Sequence, residues 1–165
     1  HHRKDYAVSS PEIVLAALST VTKNIKLGSA VSVISSTDPV KLYQDFSTVD
    51  NLSNGRAEIT AGRGSFIESY PLFGYDLSEY EPLFDEKLRL LLQLNQEEVI
   101  NWRGEYRMPI INQTIYPKPV QPQLPIWVAV GGTKSSVVRA ATLGLPIMID
   151  IINRNPAFFK PFFKF

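Results

Sequence analysis

Apolar residues recur along this chain at two alternating periods. Val14, Ala17, Leu18 and Val21 follow at helical spacing behind Ser10-Pro11-Glu12, which offers a cap, a first-turn proline and an acid at the positive end of the dipole. That pattern predicts a helix closing near Asn24. Lys26 to Ile34 (KLGSAVSVI) reads as a β-branched and apolar buried strand, with Gly28 marking a bulge or a close backbone approach. Asp38-Pro39 opens a second helix with Leu42, Phe46 and Val49 as its stripe, and Asn54-Gly55 ends it. Arg56 to Ala61 predicts the next strand. A third helix is expected from about Pro82 to Leu94, then a small hairpin between Val99 and Arg107 turning at Arg103-Gly104.

Five prolines between Pro109 and Pro125 predict an extended, irregular connector. Ile126 to Val130 is again strand-like, Ser135 to Leu143 helical with Gly144 as its stop, and Leu145 to Ile152 a further apolar strand. Repeated βα units of this kind point to the α/β class, a parallel sheet covered by helices, in one domain spanning residues 1–165.

Composition narrows the chemistry. Seventeen Lys and Arg against 16 Asp and Glu leave a formal charge of +1, so nothing global favours nucleic acid or an anionic membrane as partner. The absence of cysteine excludes a thiolate zinc site, an iron–sulfur cluster and a cysteine nucleophile, and fits a cytoplasmic protein. No apolar run reaches the roughly 20 residues of a membrane-spanning helix. No metal-ligand spacing occurs either, and the adjacent His1 and His2 would point to opposite faces of a strand.

Two glycine loops follow predicted strands, where parallel α/β folds bind their ligands. Gly62-Arg63-Gly64-Ser65 combines close backbone approach with a forked donor suited to phosphate. Gly131-Gly132-Thr133 opens a helix, whose N-terminal amides and dipole attract anions, and Thr133 and Ser136 add hydroxyls. One arginine and one helix start could hold the same phosphate, while each loop also reads as an ordinary tight turn. Neither completes a nucleotide-triphosphate loop or a GxGxxG fingerprint. His1 and His2 read either as a purification remnant or as strand-end groups able to move a proton near neutral pH. Glu79, Glu81, Asp85 and Glu86 read as a solvated acidic face. Five Phe in the last eight residues call for burial against something.

In order, His1-His2, SSPEIVLAALSTVTKNIKLGSAV, DPVKLYQDFSTVDNLSNGRAEITAGRGSF, FGYD and PIWVAVGGTKSSVVRAATLGLP resemble the bacterial-luciferase-like monooxygenases, flavin- or deazaflavin-dependent (β/α)8 TIM-barrel enzymes. The resemblance runs from His1 to about Ile152. It implies that His1 is an acid/base or orienting group beside the flavin ring. It implies that Ala30 and Val31 form the strand-end bulge backing that ring, often with a non-prolyl cis peptide. Arg63, Gly132, Thr133 and Ser136 would bind the cofactor phosphate. The implied reaction uses reduced FMN and O2 to oxygenate a small organic substrate, with a separate flavin reductase as supplier and a homodimer as the assembly. Deazaflavin-dependent hydride transfer is the alternative.

The family's first strand, the glutamate before His1 and the last barrel units have no counterpart in this sequence. A full barrel takes about 250 residues, so these 165 are expected to be the central portion of one. A non-catalytic module that keeps the phosphate cradle and associates through its aromatic tail is the reading from a different class.

Overall fold

The computed structural model describes residues 3–64, 66–151 and 155–164. Helix α1 (Pro11–Val21) begins on its proline, but the Ser10 side chain makes no capping bond. It stops before Asn24, with Thr22 extended and its hydroxyl donating back to the Leu18 carbonyl at 2.7 Å. The strand expected over Lys26–Ile34 is two short ones, β1 (Leu27–Gly28) and β2 (Ser32–Val33), parted by a segment containing a cis Ala30–Val31 peptide. Helix α2 (Pro39–Ser53) has the cap that its sequence promises: Asp38 Oδ1 accepts from the amides of Val40 and Lys41 at 2.8 and 3.3 Å. Its end is equally local, with Asn54 at φ 56° and Gly55 at φ 83° in the left-handed region.

Strand β3 (Ala57–Gly62) leads through α3 (Ser69–Leu72) and a 3-10 turn (Leu77–Glu79) into α4 (Tyr80–Gln96). Then come β4 (Val99–Trp102), β5 (Ile110–Thr114), β6 (Ile126–Val130), α5 (Lys134–Thr142) and β7 (Ile147–Ile149), with a 3-10 stretch over Pro156–Lys164. The main sheet is wholly parallel: β3 carries β1 and β2 on one side and β6 on the other, and β7 follows β6. A strand with partners on both edges and helices above it is apolar nearly throughout. Accordingly Ala57, Ile59, Thr60 and Ala61 are all buried, with Leu42 and Phe46 of α2 and Leu88 and Leu91 of α4 in the same core.

The hairpin is larger than its sequence suggests. Its second strand is Ile110–Thr114, inside the segment expected to be an irregular connector, and the turn runs through residues 103–109. Pro109 lies just before the first paired residue, where a missing N–H costs no ladder bond. Glu86 of α4 holds the turn by accepting the amides of Glu105, Tyr106 and Arg107 at 2.6–3.2 Å, and Arg107 Nε reaches Asp38 Oδ2 at 2.9 Å. A Cβ on Gly104 would lie 2.2 Å from the Glu86 carboxylate, so a side chain there would displace that carboxylate from the turn amides. In the tail, Phe159 is buried and meets Phe158 and Phe162 edge to face. Among the described residues no helix is long and apolar enough to cross a membrane.

Candidate functional site

Because β3 and β6 are adjacent and parallel, with Ala61 opposite Val128, the loops that follow them emerge side by side at the carboxyl edge of the sheet. This adjacency, which the residues alone left open, brings the Gly62-Arg63-Gly64 and Gly131-Gly132-Thr133 loops together. The glycines of the first loop make room for β2. A Cβ on Gly62 would lie 2.6 Å from Val31 Cγ2, and one on Gly64, at φ 79°, would meet Val33 at 3.0 Å. In the second loop Gly132 takes φ 111°, also outside the range of ordinary side chains. Thr133 occupies the N-cap of α5 without a side-chain bond to the helix amides. Its hydroxyl is 2.7 Å from Ser136 Oγ instead.

Arg63 is anchored by protein groups. Its guanidinium lies 4.9 Å from the Tyr80 ring centroid and is ion-paired with Glu81 Oε1. The other oxygen of Glu81 pairs with Arg139, one turn along α5 from Ser136. Arg139 also pairs with Asp85 and lies 5.1 Å from the centroid of the Phe84 ring. Two guanidiniums from two elements thus converge on one carboxylate supplied by a third. The reading of Glu81, Asp85 and Glu86 as a solvated face is therefore corrected: two of them close this cluster and the third holds the hairpin. Arg139 had no signal in the sequence, since its carboxylate partner lies 58 residues away.

On the other side of Gly64 a cleft of about 790 Å³ opens over the Ala30–Val31 peptide, with Ser29, Ser32, Phe66 and Phe73 among its walls. Ser29 and Ser32 share a buried hydroxyl–hydroxyl bond of 2.6 Å. Behind it, Lys87 of α4 is buried. Its Nζ donates to the Ser35 carbonyl at 2.7 Å and lies 3.9 Å from the Tyr75 ring centroid. Burial depresses the Lys87 pKa to about 8, against the opposing pull of Asp38 and Glu86. Burial, and then the Asp38 carboxylate, raises that of the Tyr75 phenol.

Ala30, Val31 and Gly64 thus face the cleft, while Arg63, Gly132, Thr133 and Ser136 gather at the strand ends beside it. His1 lies outside the described residues. Among the described residues no group of three or more acids and histidines could hold a metal ion.

The family description "Luciferase-like monooxygenase" matches residues 1–160. The chain belongs to the luciferase-like monooxygenase family. It is 26% identical to the monooxygenase RslO1 of Streptomyces bottropensis, whose crystal structure it overlays with a TM-score of 0.88 across 99% of this chain and 50% of that one. The y4vJ protein of Sinorhizobium fredii is 32% identical over 93% of this chain and 44% of its own length. The F420-dependent glucose-6-phosphate dehydrogenase of Amycolatopsis mediterranei is 29% identical over 72% of this chain and 36% of its own length. The oxygenating constituent of 3,6-diketocamphane monooxygenase from Pseudomonas putida, solved with FMN, shares the fold at 18% identity and a TM-score of 0.72, across 87% of this chain and 43% of that one. An F420-dependent enzyme is thus among the sequence relatives, and a protein solved with FMN shares the fold. The chain spans less than half the length of the curated relatives it matches, and its parallel sheet is the corresponding portion of the TIM-barrel fold.

Proposed function

We propose that this chain forms the flavin-binding portion of a monooxygenase that uses reduced FMN and O2 to oxygenate a small organic substrate. One observation carries the reading: Arg63 and Arg139 converge on a single carboxylate at the strand-end face, beside the N-terminus of α5. That donor set suits the terminal phosphate of a flavin, with two forked cations, a helix dipole and glycine backbone on one point. Residues Gly132, Thr133 and Ser136 complete the cradle. The Ala30–Val31 bulge then lies under the ring, and the adjoining cleft takes the substrate and keeps water from the reacting atoms. His1 is assigned the proton-handling or orienting role.

When bound, reduced flavin supplies the electrons that activate O2 and so one oxygen atom for the substrate. The likeness to a monooxygenase favours FMN over a deazaflavin, which transfers hydride and does not activate oxygen. A separate reductase supplies the reduced cofactor. Two copies associate, a reading supported by the apolar surface of α1, where Ile13 and Val21 are 72% and 77% exposed. We place the protein in the cytoplasm.

Fluorescence titration with FMN and with F420 tests the assignment. Tighter binding of FMN supports it. Tighter binding of F420 moves the chain to the hydride-transfer class. A folded chain that binds FMN and self-associates, yet turns over neither flavin nor O2, is the non-catalytic module.

A further inference from the structure

Glu81 occupies the point where, on the proposed reading, a phosphate binds. Its two oxygens take one guanidinium each, from Arg63 and Arg139, as two oxygens of a phosphate would. With Asp85 also on Arg139, two positive and two negative charges balance within the protein. A cradle in that state has no excess charge to attract a dianion.

Each arginine also has a contact other than Glu81. Arg63 rests on the Tyr80 ring, and the Tyr70 hydroxyl donates to its carbonyl at 3.3 Å. Arg139 rests on the buried Phe84 ring and keeps Asp85. Glu81 itself is about one-third exposed and lies in the first turn of α4, so its carboxylate has solvent to move into.

We infer that Glu81 is an internal competitor for the cofactor phosphate, pairing Arg63 and Arg139 in the empty site and yielding both when a phosphate binds. This rests on the phosphate-cradle reading above and adds an exchange step to it. The exchange sets the affinity: the phosphate gains two charge-assisted contacts only by breaking two that exist, each worth little because both are partly solvated. It also keeps the two arginines from pairing with other anions while the site is empty.

The test compares two probes differing only in the phosphate, FMN and riboflavin, on the full chain. Glu81→Gln keeps the size and one of the two acceptor oxygens and removes the charge. We expect it to bind FMN about tenfold tighter, a change of about 1.4 kcal/mol, with riboflavin unchanged. FMN binding that is unchanged or weaker in Glu81→Gln overturns the inference and makes Glu81 an organiser of the cradle. Arg63→Ala serves as the separate control. If it leaves FMN affinity unchanged, the cradle itself is wrong and the exchange falls with it. If it weakens FMN while Glu81→Gln does not tighten it, only the exchange is wrong. Should Glu81→Gln fail to fold, Glu81→Asp serves instead. Its carboxylate is one methylene short of spanning both arginines, so it too should tighten FMN, to a smaller extent, and failure to do so overturns the inference.

Discussion

Arg56 precedes strand β3 and Arg63 follows it, so one strand carries an arginine at each end, and the two are held in opposite ways. Arg56 is 8% exposed and donates to the carbonyls of Ser53, Ile25, Ser19 and Thr22 and to the Thr22 hydroxyl, all at 2.8–3.1 Å. Arg63 is 23% exposed at its side chain and leans on one aromatic ring and one partly exposed carboxylate. Backbone acceptors cannot leave, so Arg56 fixes the end of α1 against β3. A partly exposed side-chain carboxylate has rotamers that backbone acceptors lack, so on the inference above Arg63 can change partners. In a parallel α/β sheet the amino edge is where stability is built and the carboxyl edge is where ligands meet it. Here the two ends of one strand show that division in the kind of partner each arginine has.

Asp50 strengthens the sealed end. Its buried carboxylate accepts the Ala57 amide at 3.1 Å and the backbone and side chain of Gln121 at 3.0 and 2.8 Å, tying α2, β3 and the segment before β6 together. Asn95 does the same for that segment's last turn, exchanging two 2.9 Å bonds with the Leu124 backbone.

The contrast can be broken most forcefully at Arg56. Arg56→Met keeps the apolar stem and leaves its buried acceptors unpaired, so equilibrium denaturation should show a loss of about 3 kcal/mol or more. A loss below about 1 kcal/mol would mean that the amino edge is not the sealed end. Next is Gly62→Ala, which drives a methyl into Val31 and should cost about 2 kcal/mol. Adding Val31→Ala should recover part of that, so that the double variant is more stable than the two single losses predict.

Smaller still is a pH effect at Lys87, whose folded pKa of about 8 lies below its ordinary value of 10.5. The unfolded chain then holds the proton more tightly between those values, so wild type should gain stability relative to Lys87→Met as pH rises from about 8 to 10.5. Thermal melts across that range check the sign. The least effect on folding belongs to Arg63→Ala, under about 1 kcal/mol because its ion pair is partly solvated.

What could be read from the sequence was what neighbours in the chain decide. Asp38-Pro39 and Asn54-Gly55 set the ends of α2 through bonds spanning a few residues, and the alternation of βα units set the parallel sheet. The two glycine loops were visible as candidates because each combines special backbone with donors over a few positions. What escaped depended on distant partners. Strand β5 was hidden in a proline-rich segment because only pairing with β4 makes it a strand. The break between β1 and β2 packs Val31 against Gly62 of the neighbouring strand, a contact with a residue 31 positions away. Glu81 and Asp85 look like any acidic first turn until the arginines from β3 and α5 arrive.

If the carboxyl edge of β3 binds the phosphate of a flavin through Arg63, the FMN-to-riboflavin affinity ratio reads it directly. In wild type FMN should bind more tightly than riboflavin. In Arg63→Ala that preference should fall by about tenfold or more, with riboflavin affinity and the melting temperature little changed. An unchanged ratio in Arg63→Ala would contradict the claim.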